Sequence, residues 1–436
     1  MSTRTPRNTT HVKSTESPKV ELSATDLKNE QVLVTRRRFL YGAIGVGAVA
    51  VVGVGAAVAG AHSDDNEITY LEAPDDALTP LTDLEVLDSP DGMVSQIGEF
   101  DLPYGTLVWA NDDQVAACLL PTETGKPLTQ IGILSLGSGA LTTVLEEAVG
   151  SKEGFEVYDV RATSKGAIWT EADVLEGTWR VYSALFSNGT LVNPVKLEEG
   201  DATYDTPTIA AVGDKALWQV LPKLPNDQGL TSRLMKATIG TPSATTVLEN
   251  ARRMGTPLYA AEDSVVITPR VDSSSIYYQL SNVKVSSGEV DDTLTLPGAM
   301  RPLEAGYGRN GFMFSFSDIY NYGGAIKNMG TYTPMEKPQN GDYDNAKWFG
   351  FARTPTAPPA WCKDLFIVKS SYSVCAVDLK AGQYYAFDVD NGADSYGEYL
   401  ASTGTHDTFV TYTNIDYSPV GSDPVKTCRV KVWTAV

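Results

Sequence analysis

From about Gly98 onward, apolar residues come in short runs that alternate with polar ones or stand unbroken, each bounded by Gly, Asn, Asp, Ser or Lys. Alternation of period two marks half-buried strands, and short unbroken runs between turn residues mark fully buried ones. Helical spacing of three and four is rare in this part of the chain. The pattern therefore predicts an all-β domain. It also repeats. The segments GTLVWA, GAIWTE, KALWQV, SVVITP, GFMFSF, DLFIVK and DTFVTY align on Trp109, Trp169, Trp218, Ile267, Phe314, Ile367 and Val410, at intervals of 60, 49, 49, 47, 53 and 43 residues. TPTIAAVGDKALW and GTPLYAAEDSVVI share a Thr-Pro start, two alanines and an acidic turn. Later in each unit, segments such as SRLMKATIGTPSATTVL and YYQLSNVKVSSGEVDDTLTL supply an alternating strand, a Gly turn and a final strand.

A strand, turn, strand, loop, strand, turn, strand unit at this period resembles the four-stranded blade of a β-propeller, loosely of the TolB-like or WD-repeat-like superfamily. The resemblance covers residues 98–436. It departs from the named subfamilies in having no regular Trp-Asp dipeptide, no Ser-Pro-Asp-Gly turn and no Asp-box series. It implies seven blades by alignment, with six as the alternative count. The aromatic positions, one per unit on the same strand, are expected to be core between sheets. The last unit ends in KTCRVKVWTAV, so its text supplies only three strands. A ring needs that edge covered, and an N-terminal strand, 82–88 or 67–73, is expected to complete it.

The N-terminal text sets the address. Residues 1–34 are polar without apolar periodicity and read as a disordered cytoplasmic lead-in. Thr35-Arg36-Arg37-Arg38-Phe39-Leu40 follows, then an uncharged Gly/Ala/Val segment from Tyr41 to Ala61 expected to form one apolar helix. The Thr, the two arginines Arg36 and Arg37, any residue, Phe39 and Leu40 resemble a twin-arginine translocation signal. That resemblance implies export of the folded protein by the twin-arginine translocase. Small-x-small patterns ending at Ala59 and Ala61 suit cleavage, and the length also suits a single membrane-spanning anchor. Both outcomes, release or anchoring, place the rest outside the cytoplasmic membrane, in the cell envelope or extracellular. Residues 62–97, acidic and punctuated by Pro74, Pro80 and Pro90, read as a spacer able to contribute the closing strand; 98–436 is the propeller domain.

Charge and rare residues narrow the chemistry. The chain of 436 residues carries a formal charge of -20, and beyond residue 61 there are 26 Lys/Arg against 50 Asp/Glu. Such a surface repels nucleic acid and favours a soluble monomer. The four cysteines show no metal-ligand spacing; a disulfide between Cys375 and Cys428 and free buried thiols both fit. Histidine occurs only at His11, His62 and His406, and no Gly-x-Ser-x-Gly elbow is present, so a Ser-His-Asp arrangement would have to use His406. No motif requires a cofactor. Asp388, Asp390 and Asp394 alternate as in a calcium loop, but Ala393 and Tyr399 occupy the glycine and bidentate-acid positions, which favours an inter-blade turn over a metal site.

Residues 317–349 enlarge the fifth unit and bring Tyr320, Tyr322, Tyr332, Tyr343 and Trp348 among Gly, Asn and Pro. They read as a ligand-contact loop or as a self-packed one. The expectation from sequence is a non-enzymatic propeller that binds an envelope protein or a glycan. The alternative is a glycan-active hydrolase or lyase using carboxylates and tyrosines around the central channel. A further alternative is a membrane-tethered envelope assembly factor. An enzyme calls for a concave mouth with converging carboxylates, a binding module for a flat tyrosine-lined face.

Overall fold

The alternating segments form strands, and these pair antiparallel four at a time. The computed structural model describes residues 68–223, 230–320, 322, 324–418 and 423–436. The export signal at Arg36, Arg37, Phe39 and Leu40, the apolar segment 41–61 and the lead-in lie outside the described residues. Among the described residues, no helix is long and apolar enough to cross a membrane.

Among the described residues seven sheets follow one another, spanning 107–145, 156–200, 208–250, 259–295, 304–351, 360–386 and 399–435. The architecture is a β-propeller of four-stranded blades, each running from its first strand on the inner side to its fourth on the outer side, with further strands added at the edges of the fifth and sixth sheets. Large side chains fill the spaces between sheets: Trp169, Trp218, Ile267, Phe314 and Ile367 are fully buried on the second strand of their sheets. Trp109 is the exception. It lies on an inner strand, Leu107–Trp109, one strand earlier than its aligned counterparts, which is why the first interval of the repeat is the longest.

The last sheet is closed by an upstream segment, but by neither of the two expected, 82–88 or 67–73. Val94–Leu102 runs antiparallel to Val425–Ala435 as the fourth strand. This segment leads directly into the inner strand of the first sheet, whereas 82–88 lies too far upstream to do so. The upstream text instead forms a strap around the rim. Leu78–Pro80 pairs parallel with Trp348–Phe351 on the fifth sheet, and Glu85–Val86 pairs parallel with Gln383–Ala386 on the sixth. The first and seventh sheets meet through Ala110, whose N–H donates to Ala401 O at 3.0 Å and whose carbonyl accepts from Thr403 N at 3.2 Å.

The segment after the inner strand of the seventh sheet turns inward. Gly404–His406 pairs parallel with the inner strand Ala360–Cys362 of the sixth sheet. Gly404 N–H donates to the hydroxyl of Tyr259 on the fourth sheet at 2.7 Å, and that hydroxyl donates to Pro359 O at 2.8 Å. The inner strands are thus tied across the middle. All four cysteines are buried and none is disulfide-bonded, so Cys375 and Cys428 are not joined; burial pushes Cys375 up to about 12.

Candidate active site between the fourth and fifth sheets

The site is built on a bulge. In an ordinary strand neighbouring side chains point to opposite faces. On the outer strand of the fourth sheet, Val290–Thr295, the register against Gln279–Lys284 slips so that Asp292 faces Asn282 and Val290 faces Val283, leaving Asp291 as an extra residue. A bulge re-aims the extra side chain. Both Asp291 and Asp292 consequently line one pocket of about 300 Å³, together with Tyr307, Lys337, Asn340 and Tyr343.

Asp292 organises the far wall. Its Oδ2 accepts hydrogen bonds from the Tyr343 hydroxyl at 2.7 Å and the Tyr307 hydroxyl at 3.1 Å, while Oδ1 accepts from Thr293 N at 2.8 Å. Burial first, and the adjacent Asp292 carboxylate after it, push both phenols above the ordinary tyrosine range. Each is therefore a proton-bearing hydrogen-bond donor at neutral pH and not a base. Tyr307 comes from the inner strand Glu304–Gly308 of the fifth sheet, and Tyr343 from the loop before Trp348–Phe351. That loop lies close over the sheet because Gly311 stands at φ 94°; a Cβ there would fall 2.6 Å from the Tyr343 hydroxyl. The same hydroxyl accepts Phe312 N–H at 3.4 Å.

The pocket opens into a larger cleft of about 1180 Å³ that crosses the turns of the fourth, fifth and sixth sheets. Carboxylates and cations alternate along it. Lys284 lies 3.0 Å from Asp263 and 3.7 Å from Asp291, Arg309 pairs with Asp364, and Lys337, Lys380 and Glu336 also line it.

The residues expected from sequence are placed differently. Tyr320, Tyr322, Tyr332 and Trp348 form part of the apolar cluster joining the fourth, fifth and sixth sheets. The Tyr320 hydroxyl accepts Arg301 N–H at 3.0 Å, Tyr332 donates to Asn328 O at 2.7 Å, Tyr322 donates to Ile326 O, and the Trp348 indole donates to Tyr343 O at 3.3 Å. These groups face protein, so the loop is self-packed; Tyr343 alone of the five lines the pocket. Asp388, Asp390 and Asp394 lie in the connection between the sixth and seventh sheets and do not converge. Asp390 pairs with Lys431 at 2.8 Å, and Asp394 accepts from the Tyr399 hydroxyl at 3.0 Å. Among the described residues no group of three His, Cys, Asp or Glu is arranged to hold a metal ion. His406 faces Asp113 at 3.5 Å in the joint between the seventh and first sheets.

Asp291, Asp292 and Tyr307 escaped the sequence reading. Their signal was present in the repeats: where the final strands of the first and third sheets read TTVLEE and TTVLEN, the fourth reads VDDTLT, with two acids at the bulge.

No protein-family model and no curated protein matches this chain. Solved structures do. A prolyl endopeptidase matches at TM-score 0.47 and 10% identity over 77% of this chain and 46% of its own. A puromycin hydrolase matches at 0.46 and 11% over 77% and 54%, and an oligogalacturonate lyase in complex with manganese at 0.42 and 10% over 79% and 98%. The chain thus spans about half the length of the first two, and the likeness is one of fold. All three are enzymes. The concave pocket with two adjacent carboxylates, where a binding scaffold without catalytic machinery called for a flat tyrosine-lined face, corrects that expectation. Asp291 and Asp292 line a pocket between the fourth and fifth sheets, whereas the enzyme alternative expected its carboxylates around the central channel.

Proposed function

We propose that the protein is a glycan-active hydrolase or lyase working in the cleft between the fourth and fifth sheets. The observation that carries this reading is the bulge, which turns adjacent carboxylates into one concave pocket against two neutral tyrosine hydroxyls. Asp291, half exposed and 3.7 Å from the Lys284 ammonium, supplies the base or nucleophile. Tyr307, whose single O–H is donated to Asp292, presents its oxygen to accept a hydrogen bond from a sugar hydroxyl. Asp292, already accepting three hydrogen bonds, orients that hydroxyl. The alternating charges of the larger cleft offer partners for sugar hydroxyls on either side.

We further propose a seven-bladed closed ring, monomeric, exported through the signal at Arg36–Leu40 and acting in the cell envelope or outside the cell. The seven sheets, the acidic composition and the Arg-Arg-x-Phe-Leu pattern support these statements. Release of reducing ends or of unsaturated products from a panel of neutral, amino-sugar and uronate oligosaccharides tests the activity. Turnover that falls in Asp291→Asn and Tyr307→Phe is the expected result. No turnover of any class, or turnover indifferent to both substitutions, overturns the proposal.

A further inference from the structure

Two successive backbone amides of the N-terminal strap hold the two opposite walls of the candidate pocket. Leu71 N–H donates at 2.8 Å to Thr295 O, at the end of the strand that carries Asp291 and Asp292. Glu72 N–H donates at 2.9 Å to Asp344 Oδ1, in the loop that carries Lys337, Asn340 and Tyr343. The hold continues along the same loop: Lys347 Nζ donates to Asp76 O at 3.1 Å and lies 3.5 Å from the Asp76 carboxylate. Leu71, Ala73 and Ala77 are buried in the cluster that contains Tyr343 and Trp348, and the Tyr70 ring stacks 5.8 Å from Tyr277 beside the fourth sheet.

The loop needs such a hold. Residues 335–347 contain only one short turn, Gln339–Gly341, and their ends are joined by Met335 N–H to Lys347 O at 2.7 Å. A connection of this length with so little regular structure depends on tertiary contacts to hold one shape. From inside, Tyr343 binds Asp292; from outside, Glu72 binds Asp344. Ring closure itself is the task of Val94–Leu102, a different stretch of chain.

We infer that Leu71 and Glu72 are positioning residues of the site, clamping the Asp291–Asp292 bulge and the Tyr343 loop at a fixed separation. The inference rests on the catalytic reading of this pocket. It makes the beginning of the strap part of the functional unit, so that a ring closed by Val94–Leu102 is still an incomplete enzyme until the residues ahead of it have docked.

The test uses the full chain with Glu72→Pro, which deletes the N–H donor, Asp344→Ala, which deletes the acceptor, and Asp344→Asn, which keeps an acceptor oxygen. Amide exchange of 335–347, kcat/KM and the alkaline titration of the phenols are measured. Glu72→Pro and Asp344→Ala are expected to speed exchange in 335–347 by about tenfold and to lower kcat/KM by a similar factor, as for loss of one charge-assisted hydrogen bond. Water admitted to Tyr307 and Tyr343 brings their ionisation down toward the ordinary range, and Asp344→Asn restores all three readouts. Unchanged exchange, or faster exchange with wild-type kcat/KM, overturns the clamp. If the wild-type protein turns over no glycan, the catalytic reading fails separately. The clamp is then judged on exchange and phenol titration together, and wild-type values of both in Asp344→Ala overturn it.

Discussion

On the third sheet the outer-strand bulge carries Val247, followed by Leu248; on the fourth it carries Asp291, followed by Asp292. The first pair rests on the apolar cluster between the third and fourth sheets. The second opens onto a pocket and binds two tyrosines of the next sheet. The second sheet is intermediate, with Leu197 at the bulge and then Glu198, whose carboxylate accepts from the Trp218 indole and from Arg233 at 2.8 Å. The backbone device is therefore constant, and two side chains decide whether a joint between sheets is dry packing or a site. Position on the ring adds a second contrast. The outer strands of the first three sheets end their sheets, whereas those of the fifth and sixth carry the strap as a further strand. The polar joint lies beside the strap, whose hydrogen bonds add to the apolar cluster beneath it.

Copying the third sheet into the fourth is the sharpest way to break this comparison. Asp291→Val keeps the bulge and removes the carboxylate; kcat/KM is expected to fall by about 10²- to 10⁴-fold. Because the side chain is half exposed, the melting temperature should shift by no more than about 2 °C. Kinetics and a thermal melt on the same preparation check both, and retained activity would show that the comparison has selected the wrong pair. The next effect is on stability. Arg353 spans the strapped fifth sheet, binding Thr331, Ser315 and Glu304, with both charged side chains 1% exposed. Arg353→Met leaves Glu304 buried without its cation and should cost about 3–5 kcal/mol in urea unfolding. Arg233→Met, which breaks the partly exposed pair with Glu198 on the unstrapped side, should cost less than about 1 kcal/mol. Equal costs would remove the distinction between the two arcs.

A third substitution works in the opposite direction. Asn282 stands opposite Asp292 on the neighbouring strand, is fully buried, and has neither amide atom hydrogen-bonded to protein. Its counterpart on the third sheet, opposite Leu248, is Leu234. Asn282→Leu is expected to raise unfolding stability by about 1–2 kcal/mol by removing two unpaired polar atoms from the joint. A loss of stability would instead assign the amide a partner such as an ordered water.

The fold was legible because its information is local and repeated. A buried second strand carrying Trp169, Trp218 or Phe314 writes the same short apolar run each time, and the missing fourth strand of the last unit could be inferred from the C-terminal text. Which N-terminal segment fills it could not. Leu78–Pro80, Glu85–Val86 and Val94–Leu102 are all short extended stretches, and only contacts more than two hundred residues away separate rim strap from closing strand. The site was legible in part. Aromatic content drew attention to Tyr320, Tyr322 and Tyr332, yet aromatic rings also supply core area, and here they do. The deciding feature, Asp291 and Asp292 on one face, contradicts strand alternation. It becomes visible only when a register slip is known or when the repeats are compared at that position.

The smallest expected effect lies where the two arcs meet, between the seventh and first sheets. Asp113 Oδ1 accepts the Thr408 N–H at 3.0 Å and its hydroxyl at 2.8 Å, while Oδ2 faces His406 Nδ1 at 3.5 Å. Burial alone would raise the Asp113 pKa; the hydrogen bonds from His406 and Thr408 and the His406 charge outweigh it and hold the group at about 2. The folded value thus lies below that of an unfolded aspartate. The carboxylate stabilises the closed ring above about pH 4, and that contribution is lost as pH falls toward 2. With the side chain 40% exposed, solvent screening reduces the contribution to about 1 kcal/mol. Asp113→Asn keeps an acceptor for Thr408 and removes the charge. It should melt about 2 °C below the wild type at pH 6 and together with it at pH 2. A gap that stays constant across this range would mean that the hydrogen-bond geometry of the seam, and not its charge, joins the strapped arc to the unstrapped one.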